Sequence, residues 1–257
     1  MIVRLKMKTL KTGIKWIDTV IQEGLPLKTS TIITGPGGSG KPLIGETFVS
    51  AWLKEGGSVV FMSLQYPSTE FITESIKNVT GLNLNDYVDK IIFLQLDVGI
   101  SGLIGEGKNI IRANLVKPVI WDKALDVAAD RLPKEGPGIL IFGSALNLLL
   151  FSPTYGDAIL DKIMETIATN KTRTHIFSVS TSAKAEEISK IEEVADNLLI
   201  SRAEKEPFRL FMKVLRMKGM QYDSTEVLVP ISPKTLNHIK KIADHSRSIV
   251  IPAISKI

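Results

Sequence analysis

The chain has 257 residues, 44% of them hydrophobic and 23% charged, which suits one large α/β domain or two small ones and argues against disorder as the default. It has no cysteine and three histidines, which excludes a disulfide framework or zinc ribbon and leaves too few ligands for a histidine-based metal site. The net charge of +5 is uneven. Six Lys/Arg stand against two Asp/Glu in residues 1–30, fifteen against twenty in 31–200, and eleven against five in 201–257. The basic ends read either as solvated faces or as attraction to nucleic acid or acidic partners.

The opening MIVRLKMKTLKTG is basic but has no long apolar run behind it, so no secretory leader is expected. The longest apolar runs, 139–142 and 145–151, fall far short of the roughly 20 residues of a membrane helix. A cytoplasmic chain without a membrane partner is the expectation. Residues 30–34 (STIIT) predict a buried strand that enters a glycine loop, followed by a helix over 41–54 ended by Gly56-Gly57. A strand follows over 58–64. Residues 68–79 predict a helix with Ser68 as N-cap and Phe71, Ile72, Ile76 and Val79 on its apolar face. Residues 90–96 predict a third strand, and 124–132 the end of a helix. The Gly-rich stretch 98–119 reads as a mobile loop or an irregular helix. Strands are expected over 138–142 and 175–180, with an amphipathic helix over 157–169 between them. Residues 197–201, 208–216 and 225–229 read as closing strands, the last two a hairpin or meander around Lys218-Gly219. Residues 234–247 predict a basic amphipathic helix, and the apolar tail 249–257 must pack on its own domain or on a protein partner. This alternation of strands and helices is the signature of a parallel sheet flanked by helices.

The chemistry concentrates in Gly35-Pro36-Gly37-Gly38-Ser39-Gly40-Lys41, a G-x-x-x-x-G-K loop between strand and helix. Glycines let backbone N–H groups converge on an anion, the helix N-terminus adds partial positive charge, and Lys41 would reach the outer phosphates. The next residue should be Ser or Thr, to ligate Mg²⁺. It is Pro42, which has neither hydroxyl nor N–H but is tolerated in a first helical turn. Of the tryptophans, Trp52 lies on the loop helix and is expected in the core, while Trp16 and Trp121 are candidates for base stacking or interface anchoring.

Other segments fall in a telling order. Thr12-Gly13-Ile14-Lys15-Trp16-Ile17-Asp18 and Gly24-Leu25-Pro26 precede the loop, and Ser63-Leu64-Gln65-Tyr66 follows it. Ile139-Leu140-Ile141-Phe142-Gly143-Ser144, then Val194-Ala195-Asp196-Asn197, then Val214-Leu215-Arg216-Met217-Lys218-Gly219 come later. In this order they resemble the KaiC-like branch of the RecA superfamily, which includes archaeal recombinase paralogues, over roughly residues 9 to 232. The resemblance implies a catalytic Glu where Gln65 stands and a metal-holding Walker B Asp where Gly143 stands. An amide cannot accept the proton of an attacking water, so general-base help of about 10²–10⁴-fold is absent. Asp97 and Glu46 are the nearest substitutes as metal ligands, against simpler roles as a strand-end cap and a packed or solvated helix residue. Arg216 and Lys218 match basic residues that, in the family, reach the nucleotide of the neighbouring subunit.

The expectation is therefore an α/β, RecA-like P-loop domain over residues 1–232, with a mostly parallel central sheet, helices on both faces and antiparallel strands toward the C-terminus. A basic helix and apolar tail follow over 233–257. The domain is expected to hold ATP or ADP weakly at residues 35–42, with Arg216 and Lys218 as further nucleotide contacts, to hold no Mg²⁺ through its own side chains, and to have no catalytic residue. It would act as a scaffold or regulator through a protein partner or as a homo-oligomer. The alternatives are an active KaiC-like ATPase with relocated metal ligands, and a nucleic-acid-binding recombination accessory.

Overall fold

The computed structural model describes residues 7–257. The leader reading and the first residues of the domain expected over 1–232 lie outside them. A two-stranded ribbon, β1 (Thr9–Leu10) with β2 (Leu25–Pro26), brackets helix α1 (Lys15–Val20). The main chain of the fold then runs β3 (Ser30–Thr34), α2 (Lys41–Lys54), β4 (Ser58–Ser63), α3 (Thr69–Thr80) and β5 (Ile91–Leu96). It continues through β6 (Leu103–Glu106), β7 (Ile110–Ala113), α4 (Pro118–Asp130) and β8 (Ile139–Gly143). A 3-10 helix (Leu146–Phe151), α5 (Gly156–Thr169), β9 (Thr174–Ser178) and α6 (Ala185–Val194) follow. Strands β10 (Asn197–Lys205), β11 (Phe208–Arg216) and β12 (Val227–Val229) precede α7 (Pro233–His245), a π-turn (Ser246–Val250) and α8 (Ile251–Ile254).

Among the described residues ten strands form one sheet in the order β12-β11-β10-β3-β9-β8-β4-β5-β7-β6. The run from β10 to β7 is parallel, and β11, β12 and β6 are antiparallel. This is the RecA-like architecture expected from the sequence. Every residue of β3, β4, β8 and β9 is buried, because helices cover both faces of a parallel sheet; the strands carry apolar centres with Ser or Thr mostly toward their ends. One core packs α4, α5 and α6 on the sheet through Trp121, Ile163 and Ile191. The other packs α1, α2, α3 and α7 through Ile17, Phe48, Trp52 and Ile72. Helix α2 is buried at every position from Leu43 to Leu53, so Trp52 is a core residue. Trp121 is also fully buried, which removes it as an exposed base-stacking platform.

Most predicted elements hold to within a few residues. Ser68 caps α3 by accepting the Phe71 N–H at 3.2 Å. The stretch 98–119 needs correction. It contains the β6–β7 hairpin, turning at Gly107 with φ +63°, and β7 adds to the parallel sheet beside β5. Asn114 ties down the loop before it by donating to the Val98 and Ile100 carbonyls. Its glycines are turn and edge residues. Helix α4 also begins earlier than expected, with Pro118 in its first turn, where the missing N–H costs nothing.

The C-terminal segment crosses from one core to the other. Ile239 and Ile242 of α7 belong to the layer of α2 and α3. Val250 and Ile254 belong to the layer of α4 to α6. The end of the chain is fastened by Ser152 Oγ and Thr154 N–H, which donate to the Ile257 carbonyl at 2.5 and 3.2 Å. The apolar tail thus packs on its own domain. No helix among the described residues is long and apolar enough to cross a membrane.

Candidate nucleotide site

Strand β3 lies inside the parallel sheet between β10 and β9, and its C-terminal end opens into the glycine loop. Two of the glycines are required by close approach. At Gly35, φ is +140° and a Cβ would lie 2.1 Å from the Ser201 carbonyl oxygen. At Gly40, the left-handed N-cap of α2 with φ +75°, a Cβ would lie 2.3 Å from Leu210 Cδ1. Among the described residues the amides of Gly38, Gly40 and Lys41 donate to no protein acceptor, while Gly37 N–H is taken by Ser182 Oγ at 2.8 Å. Pro42 occupies the first turn of α2 and contributes no amide. Three free N–H groups at a helix N-terminus form an anion-receptive concavity.

Lys41 folds back onto this loop. Its Nζ donates to the Gly35 and Pro36 carbonyls at 2.8 and 2.6 Å and to Ser39 Oγ at 3.2 Å. Burial lowers its pKa to about 7, because a charged amine is penalised where water is excluded.

The positions where the family's pattern places catalytic carboxylates are built differently. Gln65 follows β4, and its Nε2 donates to Ser144 Oγ at 2.6 Å. Ser144 is 3.1 Å from Ser178 Oγ, which accepts the Ala145 N–H at 2.9 Å. Ala145 is held at φ +61°, a conformation that costs a non-glycine residue and tends to persist near functional sites. Gly143 ends β8, and a Cβ there would meet Phe177, Leu146 and the Met62 sulfur at 3.0 to 3.3 Å. An aspartate at this position would enter an apolar wall.

The proposed substitutes are elsewhere. Glu46 is fully buried on α2, where its carboxyl accepts from Tyr66 OH at 3.0 Å and from Ser75 Oγ at 2.9 and 3.0 Å. Desolvation raises its pKa to about 8 despite those bonds. Asp97 pairs with Arg112 and caps Gly99 N–H at 2.9 Å, and it lines a different depression. Arg216 donates to the carbonyls of Glu192 and, at 2.8 Å, Ala195, at the end of α6. Lys218 pairs with Asp196 at 2.6 Å. Neither lines the cavity over the loop of its own chain.

That cavity has a volume of about 480 Å³. Its floor is the loop from Gly37 to Pro42 with Gln65, Ser180 and Ser182. Its apolar wall includes Leu148, Phe151, Ile239 and Ile242. A roof that no local pattern in the sequence marks is formed by the C-terminal segment with Ser246, Arg247 and Ile251. The basic amphipathic pattern of 234–247 signalled a helix but not its place.

Residues 10–132, from the lead-in through α4, match the model of the KaiC ATPase family. Over those residues, just under half of its length, the chain is similar to that family. A UPF0273 protein of Methanopyrus kandleri is 29% identical to this chain over 99 residues, 38% of either chain. A UPF0273 protein of Aeropyrum pernix is 24% identical over 144 residues, 56% of this chain and 57% of that one. The match thus spans less than two thirds of either relative. The family match covers the loop, α2 and Gln65 but stops before β8 and the C-terminal roof.

Proposed function

We propose that this KaiC-like chain binds a nucleoside phosphate at residues 35–42 without turning it over efficiently, and acts as a scaffold or regulator through protein contacts, in self-assembly or with an active paralogue. The observation that carries this is the make-up of one cavity. Free loop amides and Lys41 line it together with apolar side chains, and no carboxylate is among its lining residues. Phosphates suit the amides and the cation, and a nucleobase suits the apolar lining. Mg²⁺ does not fit the residues present. Pro42 offers no hydroxyl, Gln65 is bonded to Ser144, and the position of Gly143 faces Met62, Leu146 and Phe177.

Calorimetric titration with ADP and ATP, with and without Mg²⁺, tests the reading, together with a steady-state phosphate-release assay. Binding that is lost in Lys41→Ala and indifferent to Mg²⁺ is the expected result. Mg²⁺-dependent tight binding with turnover abolished by Lys41→Ala would instead establish an active ATPase with relocated ligands.

A second reading, a nucleic-acid-binding accessory, is favoured by a depression of about 680 Å³ at the opposite end of the sheet. It is lined by Lys8, Lys28, Lys134 and Arg173, with no carboxylate among its lining residues. DNA affinity that falls steeply with salt supports this reading, and no binding at low salt removes it.

A further inference from the structure

We infer that the C-terminal segment completes the phosphate site from within the same chain, with Arg247 as the second cation on the bound phosphates beside Lys41. This rests on the nucleotide-binding reading and says how its site is closed.

Three observations carry it. First, the segment is docked across the site. Its two ends are anchored in opposite cores through Ile239 and Ile242 on one side and Val250 and Ile254 on the other. The span between them passes over the C-terminal ends of the strands, where it shares one cavity with the loop. Second, the span is locally widened. Residues Ser246–Val250 form a π-turn between two helices, a local rearrangement that recurs at functional positions. Ser246 within it is buried and bonded to the Ile242 carbonyl at 2.9 Å, so the turn is held in place and Arg247 is the next residue. Third, Arg247 is the cation of the roof whose present bond is exchangeable. Among the described residues it is bonded to Asp244, three positions earlier, at 2.6 Å, with both side chains about 70% exposed. Such exposed pairs contribute little, and a guanidinium exchanges a carboxylate readily for the bidentate geometry of a phosphate. Arg216 and Lys218, by contrast, are committed to the end of α6 and to Asp196.

Asp244 is the opposing group. Its carboxylate is bonded to the guanidinium and must be exchanged for the phosphate. The two residues therefore predict opposite effects.

The test is calorimetric titration of the full chain with ADP and with pyrophosphate, which carries no base. Arg247→Ala is expected to weaken both by about tenfold or more, the scale of a lost charge-assisted bond, with the ligand-free melting temperature unchanged. Asp244→Asn is expected to tighten both a few-fold. Should Lys41→Ala abolish binding while Arg247→Ala and Asp244→Asn both bind like the parent, the inference is overturned and the nucleotide-binding reading stands. A loss in Arg247→Ala confined to ADP, or accompanied by a lower ligand-free melting temperature, also overturns it. A parent chain that binds neither ligand removes both the reading and the inference.

Discussion

Two buried ionisable groups on one helix, Lys41 and Glu46, change stability with pH in opposite directions. Lys41 falls from its usual 10.5 to about 7 on folding. Between these values the unfolded chain binds more protons than the folded one, so this contribution makes ligand-free stability rise with pH. Below pH 7 the charge is kept and burial penalises it. Lys41→Met is therefore expected to raise the ligand-free melting temperature most at pH 6, in thermal melts across pH. The same titration governs binding. Above pH 7 the free protein loses the charge that attracts phosphate, and affinity falls by up to about tenfold per pH unit. Glu46 works the other way. Its folded value of about 8 lies above the usual 4.5, so the folded state holds the extra proton between them, and stability falls as pH rises through that window. Glu46→Gln is expected to match the parent at pH 4.5 and to be more stable at pH 8.5. Equal melting temperatures at pH 8.5 would contradict the buried neutral acid. At Gly143 the neighbours decide. Gly143→Asp would place an unpaired carboxylate against Met62, Leu146 and Phe177, at a cost of several kcal/mol, about 3 or more. It is expected to lower the melting temperature without raising phosphate release.

At the scale of elements, the loop and α7 show how local sequence sets position. The helix α2 starts at a left-handed glycine, and Gly40→Ala meets both an unfavourable φ and the Leu210 side chain. About 1–2 kcal/mol of destabilisation is expected from the backbone alone, measured by urea unfolding. Helix α7 starts with Ser232, whose Oγ accepts the Thr235 N–H at 3.2 Å, with Pro233 in its first turn. Ser232→Ala should cost about 1 kcal/mol. Because α7 carries half of the roof's anchorage, that loss should also appear as faster proteolysis within 233–257. Unchanged proteolysis would separate the cap from the roof.

At the scale of the molecule, the C-terminal segment and the sheet share their cores, so one cooperative unfolding transition is expected for residues 7–257, with no earlier melting of 233–257. A saturating nucleotide should raise that transition. At a hundredfold excess over Kd the stabilisation is about 2.7 kcal/mol, which for a domain of this size is on the order of 5–10 °C. Lys41→Ala should remove the shift while keeping the fold.

Much of this was legible in the sequence, for physical reasons. A loop that must admit free amides needs glycines at fixed positions, and strands buried on both faces need an apolar, β-branched or aromatic centre without charged residues. The loop, β3, β4, β8 and β9 could therefore be read directly, as could the replacement of hydroxyl and carboxylate by Pro42 and Gln65. Helix α6 was not assigned, because only Ile188 and Ile191 of its ten residues are buried and its apolar signal is faint. The β6–β7 hairpin hid behind glycines that serve as turn and edge residues. Pairing across the fold lay beyond any local pattern. Amphipathic spacing in 234–247 states that one face must be covered, but the covering surface comes from residues far away in the chain. Only the tertiary structure could lay that segment over the glycine loop, bind Arg216 and Lys218 to α6 and Asp196, and bring Arg247 to the cavity. Local chemistry is written in neighbouring residues, whereas the company a side chain keeps depends on how distant elements fill space together.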